Sequence, residues 1–192
     1  MSELLNTGSI DSLLNQLITR TETVNLRDYE INTYSIPEGF STTNLEFREN
    51  NKRTDTFFLD EQLRPAYDLL EKHKIPKYLT ASIGEAAVNA YVHGNKRDPK
   101  KTTRMHLGET ADEVKIIIED QGGVLDSAFV SYILENRSKQ HVRKNFYEFS
   151  RKEKPDERGG TGTMVMHKYA DEVQYFKSGD GGLIVELTYK KG

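Results

Sequence analysis

The sequence has 192 residues with a formal net charge of -3, of which 35% are hydrophobic, 30% are charged and none is cysteine. The lack of cysteine excludes disulfides and thiolate metal sites, and the slightly acidic balance argues against a general nucleic-acid-binding protein. No apolar run approaches the roughly 20 residues of a membrane-spanning helix, and residues 2–9 lack the pattern of a secretory signal, so we expect a cytoplasmic protein with no membrane contact.

The first 43 residues are predicted to be an N-terminal extension. Ile10, Leu13, Leu14, Leu17 and Ile18 follow helical spacing and predict a short amphipathic helix. Its apolar face needs a partner surface, either on its own domain, on a second copy of the chain or on a regulator. Residues 20–43 are polar and contain a Pro-Glu-Gly turn, which is typical of a linker or a weak strand pair.

Residues 44–192 are predicted to form one domain with an α+β fold. The apolar periodicity predicts a first strand at 45–47, helices at 59–70 and 78–93, strands at 102–107 and 114–119, a helix at 162–169, and strands at 172–176 and 183–189. We therefore expect a two-layer α/β sandwich, in which helices cover one face of a mixed, mostly antiparallel sheet.

The helix predicted at 78–93 carries a candidate site. At about 100° per residue, Glu85, Asn89 and His93 lie close to one line on the helix surface. A carboxylate can accept a proton and an amide oxygen can ligate a hard cation. Each residue also has an ordinary structural reading, above all His93, which could simply meet the last carbonyls of a helix that ends at Gly94.

Two glycine-rich turns follow. Asp120-Gln-Gly122-Gly123 ends an apolar strand, where a carboxylate can accept a hydrogen bond from a ligand's amino group and glycines let backbone approach. The stretch Gly159-Gly160-Thr161-Gly162 opens a helix, where backbone N–H groups can hold phosphate oxygens. Each motif alone is weak, but their order describes a nucleotide site.

In this order the motifs resemble those of the GHKL (Bergerat-fold) ATPases, and among them the anti-sigma-factor serine/threonine kinases. The resemblance implies that ATP and Mg²⁺ are the cofactors, with Glu85 as general base and Asn89 as the Mg²⁺ ligand. It implies that His93 supports that face and that Asp120 accepts from the adenine amino group beside Gly122. The phosphate side would consist of Arg158, Gly160, Thr161 and Gly162.

Three positions depart from the family pattern. Val124 stands where a second glycine is expected after Asp120, Thr163 replaces a large apolar residue, and Leu183 replaces a threonine near the base. Residues 127–158 are predicted to form a long ATP lid, with eight Arg or Lys against five Asp or Glu. The aromatic residues Phe146, Tyr147 and Phe149 indicate that part of this lid packs against another surface, such as that of a partner protein.

The resemblance implies a serine kinase that phosphorylates an anti-anti-sigma (STAS) protein, sequesters a sigma factor and forms a homodimer. The alternative is a nucleotide-binding module that regulates a partner without transferring phosphate. A histidine-kinase ATPase half is disfavoured, because no histidine precedes His73 and residues 72–76 lack a paired dimerisation hairpin.

Overall fold

A five-stranded antiparallel sheet is the centre of the computed structural model, which describes residues 10, 23–50, 53–137, 145–153 and 159–192. Its strand order is β2-β5-β6-β9-β8. The strands are β2 (Ser41–Leu45), β5 (Thr103–Glu109), β6 (Glu113–Glu119), β8 (Glu172–Lys177) and β9 (Leu183–Lys190). Two short ladders complete the described strands: β1 (Thr23–Asn25) with β7 (Val124–Asp126), and β3 (Glu49–Asn50) with β4 (Arg53–Thr54).

Helices cover one face of this sheet, as predicted. They are α1 (Thr56–Gln62), α2 (Arg64–Lys72), α3 (Ala81–Asn89), α4 (Phe129–Arg137), α5 (Phe146–Ser150) and α6 (Gly162–Tyr169). The strands alternate, so that Ile116 and Ile118 of β6 and Leu187 of β9 point into the core beneath the helices. Helix α3 packs against α6, β6 and β9. The α+β two-layer expectation is confirmed.

The helix predicted at 59–70 is two helices. They meet at Leu63, and Pro65 lies in the first turn of α2. Proline has no N–H to donate and fits only the first turn of a helix, so it marks a new start. The side chain of Asp55 caps α1 by accepting from the N–H of Phe58 at 3.1 Å.

The first strand of the sheet also differs in place from the prediction. It was expected at 45–47, whereas β2 runs over Ser41–Leu45. The strand lies at an edge and four of its five residues are exposed, so it lacks the apolar alternation on which the prediction relied. Phe47 instead stacks on Tyr91, with ring centroids 4.2 Å apart. The predicted domain boundary at 43–44 falls inside β2.

The other face of the sheet is partly covered by residues 33–40. Tyr34, Ile36 and Phe40 pack on a small buried cluster of Ile117, Phe176 and Ile184. Tyr34 stacks on Phe176, and its hydroxyl donates to the Glu186 carboxylate at 2.5 Å. A single parallel bridge joins Thr33 to Lys177 at the edge of the sheet.

Ile10 is fully buried, while the rest of the predicted helix at 10–18 lies outside the described residues. Across the described ranges, no helix has both the length and the apolar character that crossing a membrane requires.

Candidate functional site

Helix α3 is locked against the sheet on one side and presents Glu85 and Asn89 on the other. Ile83, Ala86 and Ala87 are fully buried. The hydroxyl of Ser82 lies 2.7 Å from that of Tyr189 on β9, so the helix is also held by a buried hydrogen bond. The small alanine side chains let α3 pack closely, which fixes the positions of the polar residues on its other side.

Glu85 and Asn89 meet the start of α6 at Gly162. A Cβ built on Gly162 would lie 2.6 Å from Glu85 Oε2 and 2.9 Å from Asn89 Nδ2, so only glycine fits without displacing them. Both side chains are half-buried. Desolvation raises the pKa of Glu85 above its ordinary value, which increases its affinity for a proton.

The helix ends in a π turn, Ala90–Gly94, which the sequence did not predict. This wider turn shifts His93 off the regular 3.6-residue spacing that placed it in line with Glu85. His93 is solvent-exposed, yet the protein around it desolvates the ring enough to lower its pKa, and the cations of Lys96 and Arg97 lower the pKa further.

Asn95, which follows the π turn, is fully buried and ties this helix end to the sheet. Its side-chain amide donates to the Thr102 carbonyl at 3.1 Å and to Thr103 Oγ1 at 3.0 Å, and its oxygen accepts from the Gln121 N–H at 2.8 Å. Sequence reasoning treated Asn95 only as part of a helix stop. Asparagine is an ordinary residue after a helix-ending glycine, so the sequence carried no signal for this buried role.

Asp120 lies at the end of β6 and is only 2% exposed. Its Oδ1 accepts from the N–H of Gly122 at 2.8 Å and from the N–H of Leu183 at 3.1 Å. Burial raises the pKa of Asp120 from 3.8 to about 6, although these N–H donors oppose the rise. Oδ1 is thus held by two backbone amides, the Gly123 N–H makes a further hydrogen bond to the carboxylate, and Oδ2 lies beside Gly94.

The turn after Asp120 explains the departure at Val124. The left-handed backbone conformation is at Gly123, with φ of +73°, whereas Val124 belongs to β7 and pairs with Asn25. A β-branched residue suits a strand, so valine is accommodated at this position without strain. Leu183 replaces the expected threonine with an apolar side chain that lines the cavity.

Only part of the predicted phosphate loop lies within the described residues. Gly160 adopts a φ of +90°, Thr161 precedes α6, and Gly162 is its first residue. The carbonyl of Gly160 accepts from the N–H of Phe146 at 2.8 Å, which joins the lid to this loop. Arg158 lies outside the described residues.

These parts surround a cavity of about 260 Å³. Of the predicted site residues, Asn89, His93, Asp120, Gly160 and Gly162 line it. Glu85, Gly122 and Thr161 are not among the lining residues. Glu85 lies beside the lining residue Gly162, and Gly122 and Thr161 are neighbours in sequence of lining residues. Sequence reasoning noted Ala90 and Leu183, but it missed Lys96 and the rest of the apolar wall, which includes Phe129, Met166 and Val185.

The aromatic residues of the lid pack on the chain itself. The ring of Phe146 lies against those of Phe129 and Tyr132, and Phe149 also contacts Tyr132. Tyr147 lies against Gly160, and Lys152 pairs with Asp126 at 2.5 Å. Three aromatic side chains of the predicted lid, Phe129, Phe146 and Tyr147, thus line the cavity.

The described residues contain no cluster of three His, Asp or Glu side chains that could hold a metal ion by themselves. Magnesium does not require one, because it commonly takes one or two protein oxygens together with phosphate oxygens and water. The Asn89 amide, which lies beside Gly162 at the start of α6, is chemically suited to be such a ligand.

Comparison with known proteins gives a consistent result. The model of the histidine kinase-like ATPase domain matches residues 69–189, which is more than half of the chain. Proteins named anti-sigma F factor, from two strains of Clostridium perfringens, are 26% identical over 113 residues, covering 58% of this chain and 70% of theirs. The span that the family model matches contains the α3 face, the Asp120 turn and the loop before α6. The chain belongs to the histidine kinase-like ATPase domain family, as its GHKL motifs indicated.

Proposed function

We propose that this protein is an ATP-dependent serine kinase and anti-sigma factor of a partner-switching system. It phosphorylates an anti-anti-sigma (STAS) protein, and it sequesters a sigma factor when it does not engage that protein. Membership of an ATPase family implies ATP binding, and the relatives named anti-sigma F factor support the regulatory role. By the same likeness we expect a cytoplasmic homodimer.

The observation that carries the proposal is the meeting of Glu85 and Asn89 at Gly162. A potential proton acceptor and a potential metal ligand stand side by side where the phosphate loop enters α6. Phosphoryl transfer requires positioning and charge neutralisation more than covalent assistance, so these two side chains and the loop N–H groups supply the necessary parts.

In the proposed reaction, the serine Oγ of the partner attacks the γ-phosphorus of ATP. The bond from that phosphorus to the oxygen of the β-phosphate breaks and ADP leaves, while the serine proton passes to the Glu85 carboxylate. The raised pKa of Glu85 suits it to this task, because a general base works best when its pKa lies nearer the working pH. Mg²⁺ held by Asn89 would neutralise phosphate charge.

At the other end of the cavity, Asp120 is the proposed acceptor for the adenine amino group. Its Oδ1 is held by two N–H donors, and its carboxylate lies in the wall of the cavity, where the amino group would approach it. Leu183 and Val185 provide apolar contact for the base.

The test is phosphate transfer to a purified STAS protein from the same genome, followed with radiolabelled ATP and by mass spectrometry for phosphoserine. Glu85→Gln should bind ATP with unchanged affinity but transfer phosphate at least 100-fold more slowly, the usual contribution of a general base. Glu71→Gln, an exposed glutamate on α2, is the matched control and should transfer at the wild-type rate.

Unchanged transfer by Glu85→Gln would remove Glu85 from its proposed role. Wild-type protein that binds ATP and retains a sigma factor, yet never produces phosphoserine, would favour the non-phosphorylating binding module instead.

A further inference from the structure

Arg27 holds two turns of the nucleotide site from outside the cavity. Its guanidinium donates to the backbone carbonyls of Gly122 at 2.7 Å, Gln121 at 2.9 Å and Asp180 at 3.0 Å. The first two belong to the turn after β6, and the third belongs to the turn between β8 and β9. One side chain thus bridges two turns that are about 60 residues apart in the chain.

The same two turns supply the N–H groups that hold Asp120. Gly122 donates from the first turn, and Leu183 donates from the end of the second. Arg27 and Asp120 therefore bind the same two backbone turns, Arg27 through their carbonyls and Asp120 through their N–H groups. A shift of either turn would move an N–H donor away from Asp120 and change the direction in which Oδ2 points.

The two turns also touch each other and Arg27 closely. A Cβ on Gly181 would lie 2.7 Å from Arg27 Cγ, and a Cβ on Gly123 would lie 3.1 Å from Arg27 Nη1. Both glycines have positive φ, of +78° and +73°. The guanidinium therefore occupies a groove that these backbone conformations create.

Arg27 is itself anchored by its neighbours. Val24 and Leu26 are buried, with 1% and 0% of their surface exposed. The N–H of Leu26 donates to the Gly123 carbonyl at 2.7 Å, and β1 pairs with β7 immediately beyond the turn. The backbone that carries Arg27 is thus joined to the turn that Arg27 holds.

We infer that Arg27 is a positioning residue for recognition of the adenine base, acting through Asp120. This inference rests on the proposed role of Asp120 as acceptor for the adenine amino group. Because Arg27 is exposed and its hydrogen bonds to the Gln121 and Asp180 carbonyls lie at the surface, water can replace the guanidinium there, and the effect of removing it falls on the geometry of the site more than on folding.

The experiment compares two nucleotides by isothermal titration calorimetry: ATP, and purine riboside 5′-triphosphate, which lacks the 6-amino group. Arg27→Ala should weaken the binding of ATP about tenfold and the binding of the amino-free nucleotide less than twofold. Arg27→Lys should recover only part of the ATP affinity, because a single ammonium cannot match a planar guanidinium across three carbonyls.

Two further variants complete the design. Arg64→Ala, which removes an exposed arginine paired with Asp68 on α2, should leave both affinities unchanged. In an Asp120→Asn background, Arg27→Ala should no longer affect ATP, since the two residues act as one unit.

Equal weakening of both nucleotides by Arg27→Ala, or no weakening of either, would overturn the inference. Wild-type protein that binds ATP no more tightly than purine riboside triphosphate would overturn the proposed role of Asp120 as well. Phosphate transfer is not measured here, so failure of the kinase proposal would give a separate result.

Discussion

Replacing Asp120 by asparagine should stabilise the nucleotide-free protein at neutral pH while weakening its hold on ATP. Asp120 is buried, and desolvation raises its pKa from 3.8 to about 6. At neutral pH the folded protein must therefore keep the Asp120 carboxylate charged in a buried position that disfavours the charge. An amide of the same shape keeps one oxygen for the N–H donors of Gly122 and Leu183 and carries no charge.

The size of the effect follows from linkage. The rise from 3.8 to about 6 corresponds to about 3 kcal/mol, at 1.36 kcal/mol per pKa unit. The folded state holds its proton more tightly than the unfolded state, so this penalty is absent below pH 3.8 and fully present above pH 6. Between pH 4.5 and 7.5 the stability of Asp120→Asn relative to wild type should rise by about 2 kcal/mol.

The assay is urea unfolding followed by circular dichroism at several pH values, without nucleotide. Taking the difference from wild type at each pH cancels the titration of all other groups. Asp112→Asn, at an exposed position, should show no such pH trend. A difference between Asp120→Asn and wild type that stays constant from pH 4.5 to 7.5 would refute the assignment of a buried, destabilising charge to Asp120.

Two asparagines should respond differently to alanine substitution. Asn89→Ala should weaken ATP binding about tenfold, or about 1.4 kcal/mol, when Mg²⁺ is present. In excess EDTA the same substitution should leave ATP binding nearly unchanged. Equal weakening in both buffers would contradict a metal-ligand role. Asn95→Ala should lower the free energy of unfolding by about 3 kcal/mol, because it leaves the buried Thr103 hydroxyl and the half-buried Gln121 N–H without this hydrogen-bond partner. Asn44→Ala, on the exposed edge strand, is the control and should change the free energy of unfolding by less than about 0.5 kcal/mol in urea titrations.

The sheet and its helical layer could be predicted because their signals are local. Strands β5, β6, β8 and β9 alternate or form apolar runs, and the turns between them contain glycine or clustered polar residues. The edge strand β2 was misplaced, since an exposed edge needs no apolar pattern. The break at Leu63 was missed because the apolar periodicity continues through it, although Pro65 was a visible sign.

The candidate site residues were chosen from the order of three motifs, since each motif alone is weak. The structure places Asn89 and Asp120 in the wall of one cavity and Glu85 beside Gly162, while their roles stay predictions. The supporting contacts were not visible in the sequence, because they join distant segments through backbone atoms. Arg27 binds carbonyls, which every residue possesses, so nothing in the sequence marks its partners.

The cover that residues 33–40 form over the second face of the sheet affects how the protein can be shortened. A fragment of residues 44–192 would uncover the side chains of Ile117, Phe176 and Ile184 together and remove most of β2 from the edge of β5. An uncovered apolar patch beside an unpaired strand promotes self-association. Solubility is thus a reason to keep these residues when the protein is produced for study.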